Sequence, residues 1–432
     1  MKVHIKNGHV IDPKNKIDAK QDVFIADGKI VAIGKVPAGF VVEKKIDATG
    51  LIVAPGFVDL CARLREPGSE YKATLKSELQ AAAAGGITSL ACPPDTDPVL
   101  DEPGLIEMLK LRARRVNLAR IYPLGALTQQ LAGKAITEMF ELTAAGCEGF
   151  TQADKAIVDT QVLWRAFEYA ATFGYTLFLR PEEPFLAQDG VAHDGEVATR
   201  LGLKGIPAAA ECLAIATILR IAAETKTKIH LCRLSTAEGV ELVRKAKQDG
   251  LAVTADVSAH HLHLTEHDIG YFNALAHLKP PLRSTRDKDA LCKGVKDGTI
   301  DVICSDHAPV DDDAKLLPFA EAEAGATGLE LLLPLALKWA TNNHAPLSHA
   351  IARITSAPAS ILGIKGGHLS INANADIAIF DSEQTWKLEV STLISQGKNT
   401  PFLGLEMIGK VHYTLLNGQI TYQNIIIKTS NF

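Results

Sequence analysis

The chain has 432 residues, 47% of them hydrophobic and 22% charged, with a formal net charge of -5. Such a chain is globular, with material for one large domain of ~250 residues and a smaller one, and it is neither a disordered segment nor a basic nucleic-acid or membrane-surface binder. The N-terminal MKVHIKNGHVID alternates like a strand without the apolar core of a signal peptide, and later apolar runs are short and interrupted, so a soluble cytoplasmic protein is expected. In chain order, residues 1–54 predict short strands and turns: VHIKNGHVID, then DVFIADGKIVAIG with Asp27-Gly28 as a hairpin signal, then LIVAPG. The middle, 55–350, alternates apolar strand-like runs with helical stretches: FVDLCARL, LKSELQAAAAGG, ITSLACPP, LIEMLKLRARR, ARIYPLGAL and onward to DVICSDHAP. Eight such runs predict an α/β protein built on a (β/α)₈ barrel, with its chemistry at the C-terminal ends of the strands. Residues 351–432 predict a connecting helical segment followed by strands, ADIAIFD and KVHYTLLNGQITYQ, with Asn417-Gly418 as a second hairpin turn. Two β-rich ends around a long middle predict one small β-sandwich assembled from both termini.

The seven cysteines, Cys61, Cys92, Cys147, Cys212, Cys232, Cys292 and Cys304, are scattered without a close pair. That usage reads as reduced thiols, most of them small buried residues, rather than a disulfide framework.

Strand alternation puts Asp59, Cys61, Arg63 and Arg65 of GFVDLCARLREPG on one side. Together with GGITSLACPPDTDPVLD, KPPLRS, DVICSDHAP and LPFAEAEAGATGLE, in this order and at barrel-like spacing, that stretch resembles the dihydroorotases of the amidohydrolase superfamily almost end to end. The resemblance implies a (β/α)₈ barrel with a small β-sandwich, reversible hydrolysis of the dihydroorotate ring amide, and a zinc site whose acidic residue on the last strand shuttles protons. Carried over residue by residue, the first strand's two metal-binding histidines fall on Cys61 and Arg63. The bridging position falls on Gln152 in GFTQAD, beside Asp154, and the fifth- and sixth-strand histidines fall on Arg180 and Arg233. Only the eighth-strand acid is kept, as Asp306.

Arginine has no lone pair to offer a metal and stays protonated. One guanidinium ~4 Å from a divalent cation repels it by about 8 kcal/mol at an effective dielectric of 20. No catalytic residue, no metal and no cofactor are therefore expected, although zinc is expected of the family. Among the substrate-binding positions that the resemblance implies, Arg65 keeps its arginine, an asparagine falls on Asp95 and another on Lys279, and a histidine falls on Val310. Arg63, Arg180 and Arg233 predict either a plug salt-bridged to Asp306, Asp95, Asp59 or Glu182, with Asp306 first, or an anion-binding pocket. The remaining histidines, His230 and the His260, His261 and His263 group in AHHLHL, predict structural roles; Cys61, Cys304 and Asp306 form a weaker alternative zinc set. The resemblance is strongest to inactive dihydroorotase-like chains that serve as non-catalytic subunits of aspartate carbamoyltransferase. It implies that enzyme's catalytic chain as partner, with a homo-oligomer also open and no nucleic acid or membrane. The alternatives are a cyclic-amide hydrolase with an altered or absent metal site and a small-anion sensor.

Overall fold

The computed structural model describes residues 1–424. Its centre is a ring of eight parallel strands: Phe57–Asp59, Ile87–Cys92, Arg120–Ala126, Gly149–Thr151, Thr176–Leu179, Lys228–Leu231, Val253–Ser258 and Val302–Cys304, hydrogen-bonded in that order. The ring closes just beyond the strands, where Arg63 N donates to His307 O at 2.8 Å and His307 N to Cys61 O at 3.1 Å. Helices cover the outer wall, so these strands are buried on both faces and read as mostly apolar runs, as in Ile87–Cys92, where every residue, Thr88 and Ser89 included, is buried.

The covering helices are amphipathic and capped. In Thr160–Phe173 the buried residues are Leu163, Ala166, Phe167 and Ala170, one face of a 3.6-residue period. Asp159 starts that helix by accepting Gln161 N, and Gly174, at φ 71°, ends it in the left-handed region that costs glycine least.

Both ends of the chain build the flanking β-structure. One sheet has four strands (Val3–Lys6, Val23–Ala26, Lys29–Ile33 and Lys44–Asp47). The other has six, and in it the early strand Ile52–Pro55 lies between His9–Asp12 and the late strand Ile377–Lys387. Val3, Ile5, Val23, Ile25, Val53 and Ile377 meet in the shared core, and each contributes roughly 1.5–3 kcal/mol by leaving water. Asp27-Gly28 and Asn417-Gly418 turn with φ positive at both residues, which is what tight hairpins require.

Between the fifth strand and its helix, Ala208–Thr225, the chain makes an excursion over 184–206. It holds two short helices and a two-stranded ladder, Ala192–His193 with Gly205–Ile206, segments too short for periodicity to signal. No helix among the described residues is long and apolar enough to cross a membrane.

Candidate functional site

The C-terminal ends of the strands present a cluster of charge. Arg63, just past the first strand, places Nε 2.7 Å from Asp95 Oδ2 and Nη2 2.6 Å from Asp154 Oδ2. Arg180, after the fifth strand, grips Glu182 through both terminal nitrogens at 2.7 and 2.6 Å, lies 2.9 Å from Asp154 Oδ1 through Nε, and donates to the Asp154 carbonyl at 3.1 Å. Arg233, after the sixth strand, bonds Asp154 Oδ1 through Nη2 and Asp306 Oδ1 through Nη1, the latter at 3.1 Å. Lys279 Nζ adds a contact to Glu182 at 3.5 Å, and its backbone carbonyl accepts from Arg233. Four cations thus face four carboxylates, Asp95, Asp154, Glu182 and Asp306, and the cluster is close to neutral.

Asp154, not Asp306, is the hub. Gly149–Thr151 ends in a turn in which Ala153 takes φ 53°, and this turn aims Asp154 at the three guanidinium groups. Burial raises the Asp154 pKa, but Arg233, Arg63 and Arg180 outweigh it and hold the carboxyl well below the ordinary range. Asp306 contacts Arg233 closely and Arg63 only at 3.8 Å; burial, opposed by those two arginines, leaves its pKa raised. Asp59 lies beneath the cluster and pairs with no arginine: its carboxylate accepts from Ser305 N at 2.9 Å, from the Ser305 hydroxyl and from Cys61 N.

The loops that carry these side chains are pinned from behind. Asp256 Oδ1 accepts Arg233 N at 2.6 Å, and the buried Glu211 carboxylate accepts Ser235 N and Thr236 N two and three residues later. His307 bridges Glu78, at 2.7 Å, and Gly328 N, at 3.1 Å, next to Asp306. Such pins hold Arg233 and Asp306 at φ 56° and 47°, a left-handed conformation that costs a non-glycine residue about 1–2 kcal/mol. Replacing His307 by alanine leaves Glu78 short of its strongest partner; unfolding in urea is expected to show a loss of about 2 kcal/mol.

Other sequence-picked residues stand apart from the cluster. Arg65 Nε donates to Pro309 O at 2.8 Å, and its Nη2 lies 3.7 Å from Glu323, toward the loop after the eighth strand. Gln152 accepts from Thr128 Oγ1 at 3.0 Å, and Val310 N donates to Asn399. His261 and His263 bond the carbonyls of Pro281 and Leu335, and His260 packs on Phe402. Burial pulls the pKa values of His260, His261 and His263 down to about 3, 4 and 4, so all three stay neutral.

The donor set does not fit a zinc ion. Arg63, Arg180 and Arg233, at the positions where the resemblance implies histidines, are guanidinium groups that are themselves ion-paired. Cys61 Sγ lies 3.6 Å from Asp306, but Cys304 Sγ turns to Asp256, so Cys61, Cys304 and Asp306 do not assemble as a ligand set. Burial also pushes both thiols well above their ordinary pKa, disfavouring the thiolates a metal would need. One group among the described residues, His230, Cys232 and Asp256, brings its ligand atoms within 4.8 Å of one another. Its polar atoms are already committed: His230 bonds Thr254 and Asp256, both at 2.8 Å, and Asp256 Oδ1 takes Arg233 N.

Comparison with known proteins agrees with this architecture. Residues 50–239 match the dihydro-orotase-like family and residues 190–421 the amidohydrolase family. The chain is 42% identical to a dihydroorotase-like protein of Pseudomonas aeruginosa over 98% of this chain and 100% of that one. It is 40% identical to a dihydroorotase-like protein of Pseudomonas putida, over 98% and 99%, and 39% identical to a dihydroorotase of Geobacter sp., over 98% and 100%. Its fold superposes on the L-hydantoinase (dihydropyrimidinase) from Arthrobacter aurescens with a TM-score of 0.87 at 23% identity, covering 97% of this chain and 95% of that one. The chain belongs to the dihydroorotase-like family of amidohydrolases.

Proposed function

We propose that this chain is a catalytically inactive member of its family, serving in the cytoplasm as a non-catalytic subunit that supports assembly of aspartate carbamoyltransferase in pyrimidine biosynthesis. One observation carries the inactive half of the reading: Arg63, Arg180 and Arg233, which the resemblance puts at metal-ligand positions, are locked onto Asp154. Guanidinium groups offer a divalent cation no lone pair, and the four carboxylates of the mouth are already engaged by them. The partner rests on the resemblance to non-catalytic subunits of that transcarbamoylase. The test is to coexpress the two chains and compare complex size and transcarbamoylase activity with and without this one. Without it the larger complex and most of the activity should be lost, whereas Asp306→Asn, which alters only the buried mouth, should assemble normally. An unchanged transcarbamoylase in the absence of this chain rules the subunit role out.

A second reading is a cyclic-amide hydrolase with an altered metal set, favoured by the full-length likeness to a Geobacter protein named dihydroorotase. In it Asp306 is the general base and the arginines stabilise the oxyanion. The contact of Asp306 with Arg233 works against a free base at this position.

A further inference from the structure

The excursion over 184–206 is tied to the barrel by a buried cation. Arg283, in the loop before the helix Thr285–Asp297, is 4% exposed. Its side-chain hydrogen bonds among the described residues all go to neutral acceptors. Nε donates to Ser235 Oγ, in the loop after the sixth strand, at 3.2 Å. Nη1 reaches both strands of the two-stranded ladder, donating to Ile206 O at 2.5 Å and to His193 Nδ1 at 3.1 Å. A guanidinium only donates, so His193 Nδ1 must accept, and the imidazole is neutral with its proton on Nε2.

A second proton on the ring removes that lone pair and sets an imidazolium against a guanidinium that no carboxylate bonds. The other charged groups around the ring are Glu266 from the turn Glu266–Ile269, Asp287 from the first turn of Thr285–Asp297, and Asp194 next in the chain, and all three favour the charged form. Glu266 Oε2 is buried without a hydrogen-bond partner. That oxygen and the ring flank Gly195, where a Cβ would lie 2.8 Å from Glu266 Oε2 and 3.0 Å from His193 Cδ2. The carboxylate thus offers a charged ring an alternative partner to Arg283. Burial and Arg283 nevertheless outweigh the three acids and hold the His193 pKa below 6.5. Ala192, Val197 and Ala198 keep their places in the hydrophobic core whatever the charge on the ring, so loss of the polar bond loosens the excursion without unfolding it.

We propose that His193 and Arg283 form a proton-sensitive latch, which holds the ladder against the barrel while the imidazole is neutral and releases it when the ring is protonated. The latch lies outside the arginine cluster and does not depend on the subunit role. With the folded-state pKa depressed, its stabilisation is complete above 6.5 and is lost as pH falls from there through the folded value. Hydrogen exchange of the full chain from pH 8 to pH 5, read by mass spectrometry and corrected for intrinsic rates, tests it. Protection of peptides from 191–206 should be flat above pH 6.5 and fall about tenfold per pH unit below it until the folded pKa is passed. The barrel strand Val253–Ser258 should lose none over the same range. His193→Gln supplies an acceptor that does not titrate and should keep its protection at pH 5. His193→Lys carries a fixed charge and should show at pH 7.5 the low protection of acidified wild type. Unchanged circular dichroism in both variants keeps a folding defect from imitating these effects. Flat protection in wild type, an equal loss in the barrel strand, an acid loss in His193→Gln, or full protection in His193→Lys overturns the proposal.

Discussion

Asp154→Ala is expected to lower the unfolding free energy by about 3 kcal/mol, the lower end of what breaking a buried ion pair costs. The lower end applies because 27% of the Asp154 side chain is open to solvent. The cost arises from what remains: Arg63, Arg180 and Arg233 would face one another with the carboxylate between them gone, and only Asp95, Glu182 and Asp306 left to hold them apart. The effect has a pH signature. The folded-state pKa of Asp154 lies below its ordinary 3.8, so the stability it contributes is present above that value and is lost as pH falls through it toward the depressed folded value. Asp306, with its pKa raised, works in the opposite sense: its ionisation opposes folding, and stability declines as pH rises through its folded value. Urea unfolding across pH should therefore show wild type and Asp154→Ala far apart at pH 7 and converging below about pH 3.8, since the variant lacks the group whose protonation removes the difference. Asp154→Asn, which keeps an acceptor but no charge, should fall between them.

The second large effect concerns reconstruction of a metal site. Cys61→His with Arg63→His restores the two first-strand ligands of the family pattern and is nonetheless expected to bind no stoichiometric zinc and to turn over no dihydroorotate. Arg180 and Arg233 remain within hydrogen-bonding distance of Asp154, and a guanidinium has no lone pair with which to supply the missing ligands. Two imidazoles alone do not complete a zinc site. The double variant should also be less stable than wild type, because Asp95 and Asp154 lose the guanidinium that Arg63 places between them. Metal analysis after dialysis, with a dihydroorotase assay in both directions, checks the first expectation, and urea unfolding the second.

Much of the fold is legible in the sequence because it is written in local chemistry. Asp27-Gly28 and Asn417-Gly418 announce hairpins through the backbone conformation they permit, and buried parallel strands such as Ile87–Cys92 announce themselves as mostly apolar runs. The excursion over 184–206 is not legible, because its helices and strands are only two to six residues long and carry no full period. Within the mouth, the family pattern brings Arg63, Arg180, Arg233 and Asp306 into view from their places at strand ends. It does not single out Asp154 as the hub, because that role depends on the left-handed turn at Ala153, which decides which side chain of GFTQAD faces the arginines. An aspartate two residues from the bridging position was the available signal. Cys304 illustrates the same limit: its place beside the first strand suggests Asp306 as partner, and the pleat turns it to Asp256 instead.

The most direct measurement is the metal content of the purified wild-type chain, taken together with its dihydroorotase activity in both directions with and without added zinc. If the arginines at the barrel mouth have replaced the catalytic metal, zinc should stay well below one per chain and turnover should not rise above background. About one zinc per chain, with turnover that disappears on chelation and returns with the metal, would contradict it and establish the chain as an active hydrolase.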